Sequence, residues 1–189
     1  MPNTDYPMRH KLCFIRRMQQ GDLVAAAKIH KNAFARQRNS FHWLACNLVA
    51  YPRIISYVIT CEEQCIGYCI WTQKSGFRPE VVIELEQIAV APPFRGRGIA
   101  AQLLTESLED VRGVLAMHRS VLKHIVITTG AATSAQRLYA SVLGAKVEAR
   151  LSDIYSDEDD VIMVARDLLH LGQQYPISLH GKFAPVQIH

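Results

Sequence analysis

Apolar and polar positions change period repeatedly along the chain, and each change marks an element. Leu12 to Arg16 alternates as a short strand does. Asp22 precedes an alanine-rich run and is placed to cap a helix through about Phe34. A second helical stretch, FHWLACNLVAY, begins after Ser40 and is ended by Pro52. Ile54 to Thr60 and Cys65 to Trp71 are rich in β-branched and aromatic residues, and the short polar turn Cys61-Glu62-Glu63-Gln64 between them predicts a hairpin. A longer strand runs from Val81 to Val90. From Ala100, apolar residues recur at Leu103, Leu104, Leu108, Val111 and Leu115, one face of an amphipathic helix. His124 to Thr129 reads as a strand, Thr133 to Leu143 as a helix stopped by Gly144, and Lys146 to Leu151 and Val161 to Ala165 as two further strands.

The order β-α-α-β-β-β-α-β-α-β-β combines hairpins with helical crossovers, which predicts an α/β (α+β) fold with a mixed sheet and helices on its faces. With 189 residues, 49% of them hydrophobic, one core is the expectation. No apolar run approaches the roughly 18 residues of a membrane helix. Cys13, Cys46, Cys61, Cys65 and Cys69 are an odd number of cysteines, and MPNTDYPMRHKLCFIRR holds no signal-peptide core. These features predict a cytoplasmic protein with free thiols and no membrane association. The net charge of +4 suits a phosphate-bearing ligand and is too small to argue for nucleic acid. The tail from Leu168 to His189 has no clear period and is expected to be an extended arm.

Candidate chemistry starts where the long strand gives way to a helix, at "VAPPFRGRGIAAQLL" (Val90 to Leu104). A glycine-rich bend before a helix lets backbone approach a ligand closely, and the first N–H groups of that helix lack intrahelical partners. Arg95 and Arg97 add positive charge, so the bend is a site for a pyrophosphate. A Walker A loop would need Gly-Lys-Ser/Thr where the chain has Gly98-Ile99-Ala100. Gly96-x-Gly98-x-x-Ala101 matches the dinucleotide fingerprint formally, but five residues separate it from its strand, and no Asp or Glu occurs between Asp110 and Glu148 to hold a ribose.

Arg95-Gly96-Arg97-Gly98-Ile99-Ala100 instead resembles the acyl-CoA loop of the GNAT superfamily of N-acetyltransferases. Ile88-Ala89-Val90-x-Pro before the loop, and Ala135-Gln-Arg-Leu138-Tyr139-x-x-x-Leu143-Gly144 after it, resemble that family too. The resemblance implies a single GNAT-like catalytic domain over residues 1–167, with a mostly antiparallel sheet of about six to seven strands and a C-terminal extension at 168–189. It implies acetyl-CoA as cosubstrate, no metal, contact with Ile88, Ala89, Val90 and Arg95 to Ala100, and transfer to a primary amine of a small molecule or peptide. The family often has an Asn ahead of the Leu-Tyr helix; here Ser134 or Thr133 would replace its hydrogen bond.

A lysine-like amine with a pKa near 10.4 is neutral about once in 10³ molecules at pH 7, so a base is useful. By the period of two, Glu84 and Glu86 share a strand face with Val82 and Ile88. The resemblance favours Glu84 as base, with Glu86 second, and implies that Tyr139 donates to the coenzyme sulfur. It also places the loop between the last two strands beside the acceptor, where Asp153 to Asp160 would favour a cationic amine. A non-catalytic acyl-CoA-binding module of the same fold is the alternative. Acetylation of aminoacyl-tRNA would need a broad basic face, which the net charge does not demand. Cys61-x-x-x-Cys65 lacks a second ligand pair for zinc. Trp43 is expected in the core beside an exposed His42. A monomer and a homodimer are both left open.

Overall fold

The structure, a computed structural model, describes residues 13–155 and 157–166; Leu12 and the 168–189 extension lie outside them. Seven strands form one sheet in the order β1-β2-β3-β4-β5-β7-β6. They are β1 (Cys13–Arg17), β2 (Ile54–Cys61), β3 (Gln64–Gln73), β4 (Glu80–Val90), β5 (Val121–Gly130), β6 (Lys146–Leu151) and β7 (Asp160–Ala165). Only β4 and β5 pair in parallel. The parallel pair needs a crossover, and α3 (Ile99–Met117) supplies it. The helices α1 (Leu23–Ala33), α2 (Ser40–Val49) and α4 (Ala135–Leu143) complete the domain. No helix among the described residues is long and apolar enough to cross a membrane.

Alternation along the central strands feeds two cores. Trp71, Val81, Ile83 and Leu85 pack under α3 and α4, with Leu103, Leu104, Val111 and Leu143. Tyr68, Ile70 and Ala89 face the other way, against Leu23, Ala26, Ile29 and Leu44 of α1 and α2. The helices thus cover both faces, as the element order predicted. Trp71 shows how polar atoms enter the core at little cost: it is 1% exposed, and its indole N–H donates to Ser107 Oγ at 2.9 Å.

Several local expectations are corrected. Asp22 precedes α1 but makes no side-chain cap to it; its carboxylate accepts from Arg16 at 2.6 and 2.8 Å and from the Gln19 N–H at 2.8 Å, closing the 3-10 turn Gln20–Asp22. The hairpin turn is only Glu62-Glu63, both with positive φ. The expectation of five free thiols fails: Cys13 stands opposite Cys61 in the β1–β2 register, Cα atoms 4.3 Å apart, and the two form a disulfide. Cys46, Cys65 and Cys69 are free. The pairing also takes Cys61 away from any metal role, and no metal-binding group occurs among the described residues.

Candidate active site

Strand β4 carries the irregularity that makes the site. Its register against β3 shifts between Ile70 and Trp71, so that Ile70 opposes Gln87, Trp71 opposes Leu85, and Glu86 is the extra residue of a bulge. A bulge interrupts the period of two. Gln87 and Ala89 therefore lie on the α1–α2 side, whereas Ile88 packs against the core under α3. Glu84, Glu86, Val82 and Ile88 do not form the single continuous face that alternation predicted. The last β4–β5 register pair is Glu84 with Val126; from Leu85 onward the two parallel strands part, although β5 continues to Gly130. Ile88, Ala89 and Val90 lie on the part of β4 beyond that last pair.

The two glutamates differ. Glu84 is bound by Lys74, Nζ to Oε2 at 2.7 Å, and its side chain is 17% exposed. Glu86 is half-buried where the strands part and has no hydrogen bond or ion pair among the described residues.

Beyond β4, Pro92–Phe94 forms one 3-10 turn and leads into the glycine bend. Gly96 and Gly98 have φ of 72° and 77°, left-handed values that a glycine adopts without the clash a Cβ would meet in its own backbone. Gly98 is the N-cap of α3, and no side chain caps that end. The first intrahelical bond runs from the Gln102 N–H to the Gly98 carbonyl at 3.0 Å, which leaves the preceding N–H groups for a ligand. Open space surrounds both glycines. A cavity of about 250 Å³ lies here, bounded chiefly by Val90, Arg95, Gly98, Ile99, Ala100 and, from α4, Leu138. Arg95 Nε donates to the Val90 carbonyl at 2.8 Å, so this arginine braces the turn as well as lending it charge. Arg97 is exposed. Free N–H groups, the positive end of a 19-residue helix and two arginines suit a pyrophosphate.

Helix α4 brings Tyr139 to the same side of the sheet. Tyr139 is 6% exposed, and burial pushes its phenol up to about 12. Its hydroxyl has no hydrogen bond among the described residues, so it is protonated at neutral pH and free to donate. At the start of α4 the Thr133 hydroxyl accepts from the Ala135 N–H at 3.3 Å, whereas Ser134 is exposed and its hydroxyl is unengaged. Of the two substitutes for the family's Asn, Ser134 is the available one.

Sequence reasoning missed the polar network above β4. Gln87 Oε1 accepts from Trp43 Nε1 at 3.0 Å and from the Tyr68 hydroxyl at 3.2 Å, while its Nε2 donates to Gln37 Oε1 at 3.0 Å. His30 is fully buried, 2.9 Å from Gln37 Oε1 through Nε2 and 2.9 Å from Ser40 Oγ through Nδ1. In the neutral tautomer with the proton on Nε2, that N–H donates to Gln37 and Nδ1 accepts from Ser40, and the 3.4 Å approach of Gln87 Nε2 is then a packing contact rather than a hydrogen bond. Burial holds the imidazole pKa below its usual value, which favours that neutral form. Trp43 is 39% exposed and roofs this network, contrary to the expected core position. A buried His and Gln separated by 57 positions leave no periodic signal; only the fold brings them together.

The acidic segment is more occupied than its composition suggests. Asp159 pairs with Arg150 at 3.2 Å, and Asp160 is 5% exposed and accepts from the Tyr155 N–H at 3.2 Å. The Asp159 carbonyl accepts from the Ala131 N–H at 2.8 Å, which ties the segment to the end of β5. Two of the four carboxylates from Asp157 to Asp160 thus serve the loop itself.

The chain belongs to the acetyltransferase (GNAT) family, which it matches over residues 33–145. Solved structures agree in fold. The ribosomal-protein-S18-alanine N-acetyltransferase from Escherichia coli has a TM-score of 0.66 and 20% identity, covering 93% of this chain and 100% of that one. Arabidopsis thaliana NAA60 in complex with acetyl-CoA has a TM-score of 0.67 and 20% identity, covering 81% and 97%. The spermidine/spermine N-acetyltransferase SpeG from Vibrio cholerae has a TM-score of 0.65 and 17% identity, covering 86% and 98%. Among curated proteins there is no match.

Proposed function

We propose that this chain is an acetyl-CoA-dependent N-acetyltransferase in which a primary amine attacks the thioester directly. The observation that carries the reading is the cavity at the glycine bend, just beyond the point where β4 parts from β5 and where the β4 bulge sets Glu86. Family membership supports acyl transfer, and the solved relatives are named for ribosomal-protein and polyamine acceptors, which supports an amine. The N–H groups at the start of α3, with Arg95 and Arg97, hold the pyrophosphate. The β4 backbone from Ile88 to Val90 and the Ser134 hydroxyl line the pantetheine arm.

Glu86, directly or through a water, takes a proton from the ammonium, and the neutral nitrogen forms a bond to the carbonyl carbon. The C–S bond then breaks, Tyr139 supplies the proton that the departing thiolate takes, and the second proton lost by the nitrogen as the neutral amide forms restores the phenol, directly or through water. Glu84 is second as base because Lys74 already occupies its carboxylate. Thiol release from acetyl-CoA with a panel of primary amines separates this reading from a non-catalytic acyl-CoA module, which would bind the coenzyme without releasing thiol. Glu86→Gln should lose rate chiefly at low pH and recover in alkali, where the amine deprotonates unaided. If Glu84→Gln shows that signature and Glu86→Gln does not, the two roles are exchanged.

A further inference from the structure

The segment that packs over the β4 face bearing Gln87 and Ala89 is devoid of acidic residues. From Leu23 to Cys61 there is no Asp or Glu, while Lys28, Lys31, Arg36, Arg38 and Arg53 all occur. All five side chains are exposed, and none has a carboxylate partner among the described residues. Helix polarity accounts for Lys31 near the C-terminus of α1. It does not account for Arg36 and Arg38, which lie in the α1–α2 loop.

The position of that loop is fixed by Gln37, which stands between the two arginines. Its side chain accepts from Gln87 Nε2 at 3.0 Å, and Gln87 is the residue next to Glu86 in the β4 bulge. Trp43 adds a second tie to the same Gln87. Arg36 and Arg38 are thereby held on a loop tied to the residue beside Glu86. Of the acidic groups on β4 and in the β6–β7 segment, Glu84 is paired with Lys74, Asp159 with Arg150, and Asp160 is buried. Glu86 itself, Asp153, Asp157 and Glu158 are also present. Exposed Phe41, His42 and Trp43 at the start of α2 continue the surface without adding negative charge.

We propose that the acceptor is a primary amine whose remainder carries oxyanions, phosphate or carboxylate, received by Arg36 and Arg38. A guanidinium presents a planar fork that matches either group, and a cluster of like charges raises the local concentration of the opposite one. It rests on the acyl-transfer reading for the place of the acceptor and reverses the cationic preference that the acidic loop suggested.

Two measurements test it, one without catalysis. Trp43 is the accessible indole, since Trp71 is 1% exposed, so ionic quenchers report the potential at this surface. The iodide-to-caesium ratio of quenching constants, normalised to free N-acetyltryptophanamide, should exceed unity by about threefold or more at low salt. It should fall toward unity in the doubly substituted Arg36→Gln/Arg38→Gln protein. A ratio at or below unity, or one unchanged in that variant, overturns the proposal whether or not the protein transfers acetyl groups.

The second measurement compares kcat/KM per neutral amine for O-phosphoethanolamine, β-alanine, ethanolamine and putrescine. The two anionic amines should exceed ethanolamine by about tenfold or more, and putrescine should fall below it. Salt of about 0.5 M should compress the series, since the Debye length falls to a few ångströms. The first two compounds distinguish phosphate from carboxylate. A preference for putrescine overturns the proposal. Failure of every amine counts against acyl transfer, and the quenching ratio alone then upholds or overturns the anion-receiving surface.

Discussion

In the proposed mechanism Tyr139 and Glu86 have opposite requirements, and the two residues stand in different environments. A proton donor should stay protonated, and burial in α4 lifts the Tyr139 phenol to about 12. A base needs an open approach, and Glu86 stands in a bulge where two strands part. Tyr139→Phe is expected to lower kcat by about ten- to a few-hundredfold with little change in acetyl-CoA affinity, because a thiolate of pKa around 8.5 departs without full protonation. Wild-type turnover in that variant would remove Tyr139 from the mechanism. Its titration also predicts that no alkaline limb below about pH 10 belongs to Tyr139, which a pH profile of the Phe variant checks against wild type. Both residues stand out in the sequence as candidates, but what distinguishes Glu86 from Glu84 in the fold does not. Alternation gives faces only while the register holds, and neither the bulge nor the Lys74 partner leaves a mark in the local pattern.

At the scale of elements, the turn chemistry was the most legible feature, since glycines at left-handed φ and a helix start are local properties. Gly98 at φ 77° caps α3. Gly98→Asp should reduce acetyl-CoA affinity at least about a hundredfold in calorimetry, because it sets a negative charge against the phosphates. Gly98→Asn tolerates the same left-handed backbone without the charge and should lose much less. Equal losses in the two would assign the effect to backbone geometry instead.

The α1–α2 cap was the least legible element, because its attachment runs through side chains far apart in sequence. His30 has a folded pKa depressed below about 6.5, so as pH falls through that value the unfolded chain takes up a proton that the folded one resists. The unfolded state then binds more protons, and stability falls with falling pH. His30→Gln should therefore flatten the loss in urea midpoint between about pH 7.5 and 5.5. An undiminished slope would show that other groups dominate.

Across the whole molecule, a mixed sheet with helices on its faces was implied by the element order, but the covalent tie was not. Cys13 and Cys61 are 48 residues apart and become neighbours only because β1 pairs with β2 at the sheet edge. The odd count of cysteines pointed to thiols; the register joins two of them and leaves three. Alkylation distinguishes these three by environment. Cys46 is exposed, whereas burial raises the Cys65 thiol to about 11 and the Cys69 thiol to about 12, which keeps both in the poorly nucleophilic protonated form. The native protein should take up iodoacetamide rapidly at Cys46 alone, the denatured unreduced protein at three cysteines, and the reduced one at all five. Closing a loop of this length restricts the unfolded chain, and reduction should lower stability by about 2–4 kcal/mol. It should leave acetyl-CoA affinity unchanged, because β2 and β3 separate the disulfide strand from β4 and the glycine bend. Five labelled cysteines without reductant would refute the pairing, and a loss of coenzyme affinity on reduction would show that the sheet edge and the glycine bend are mechanically coupled.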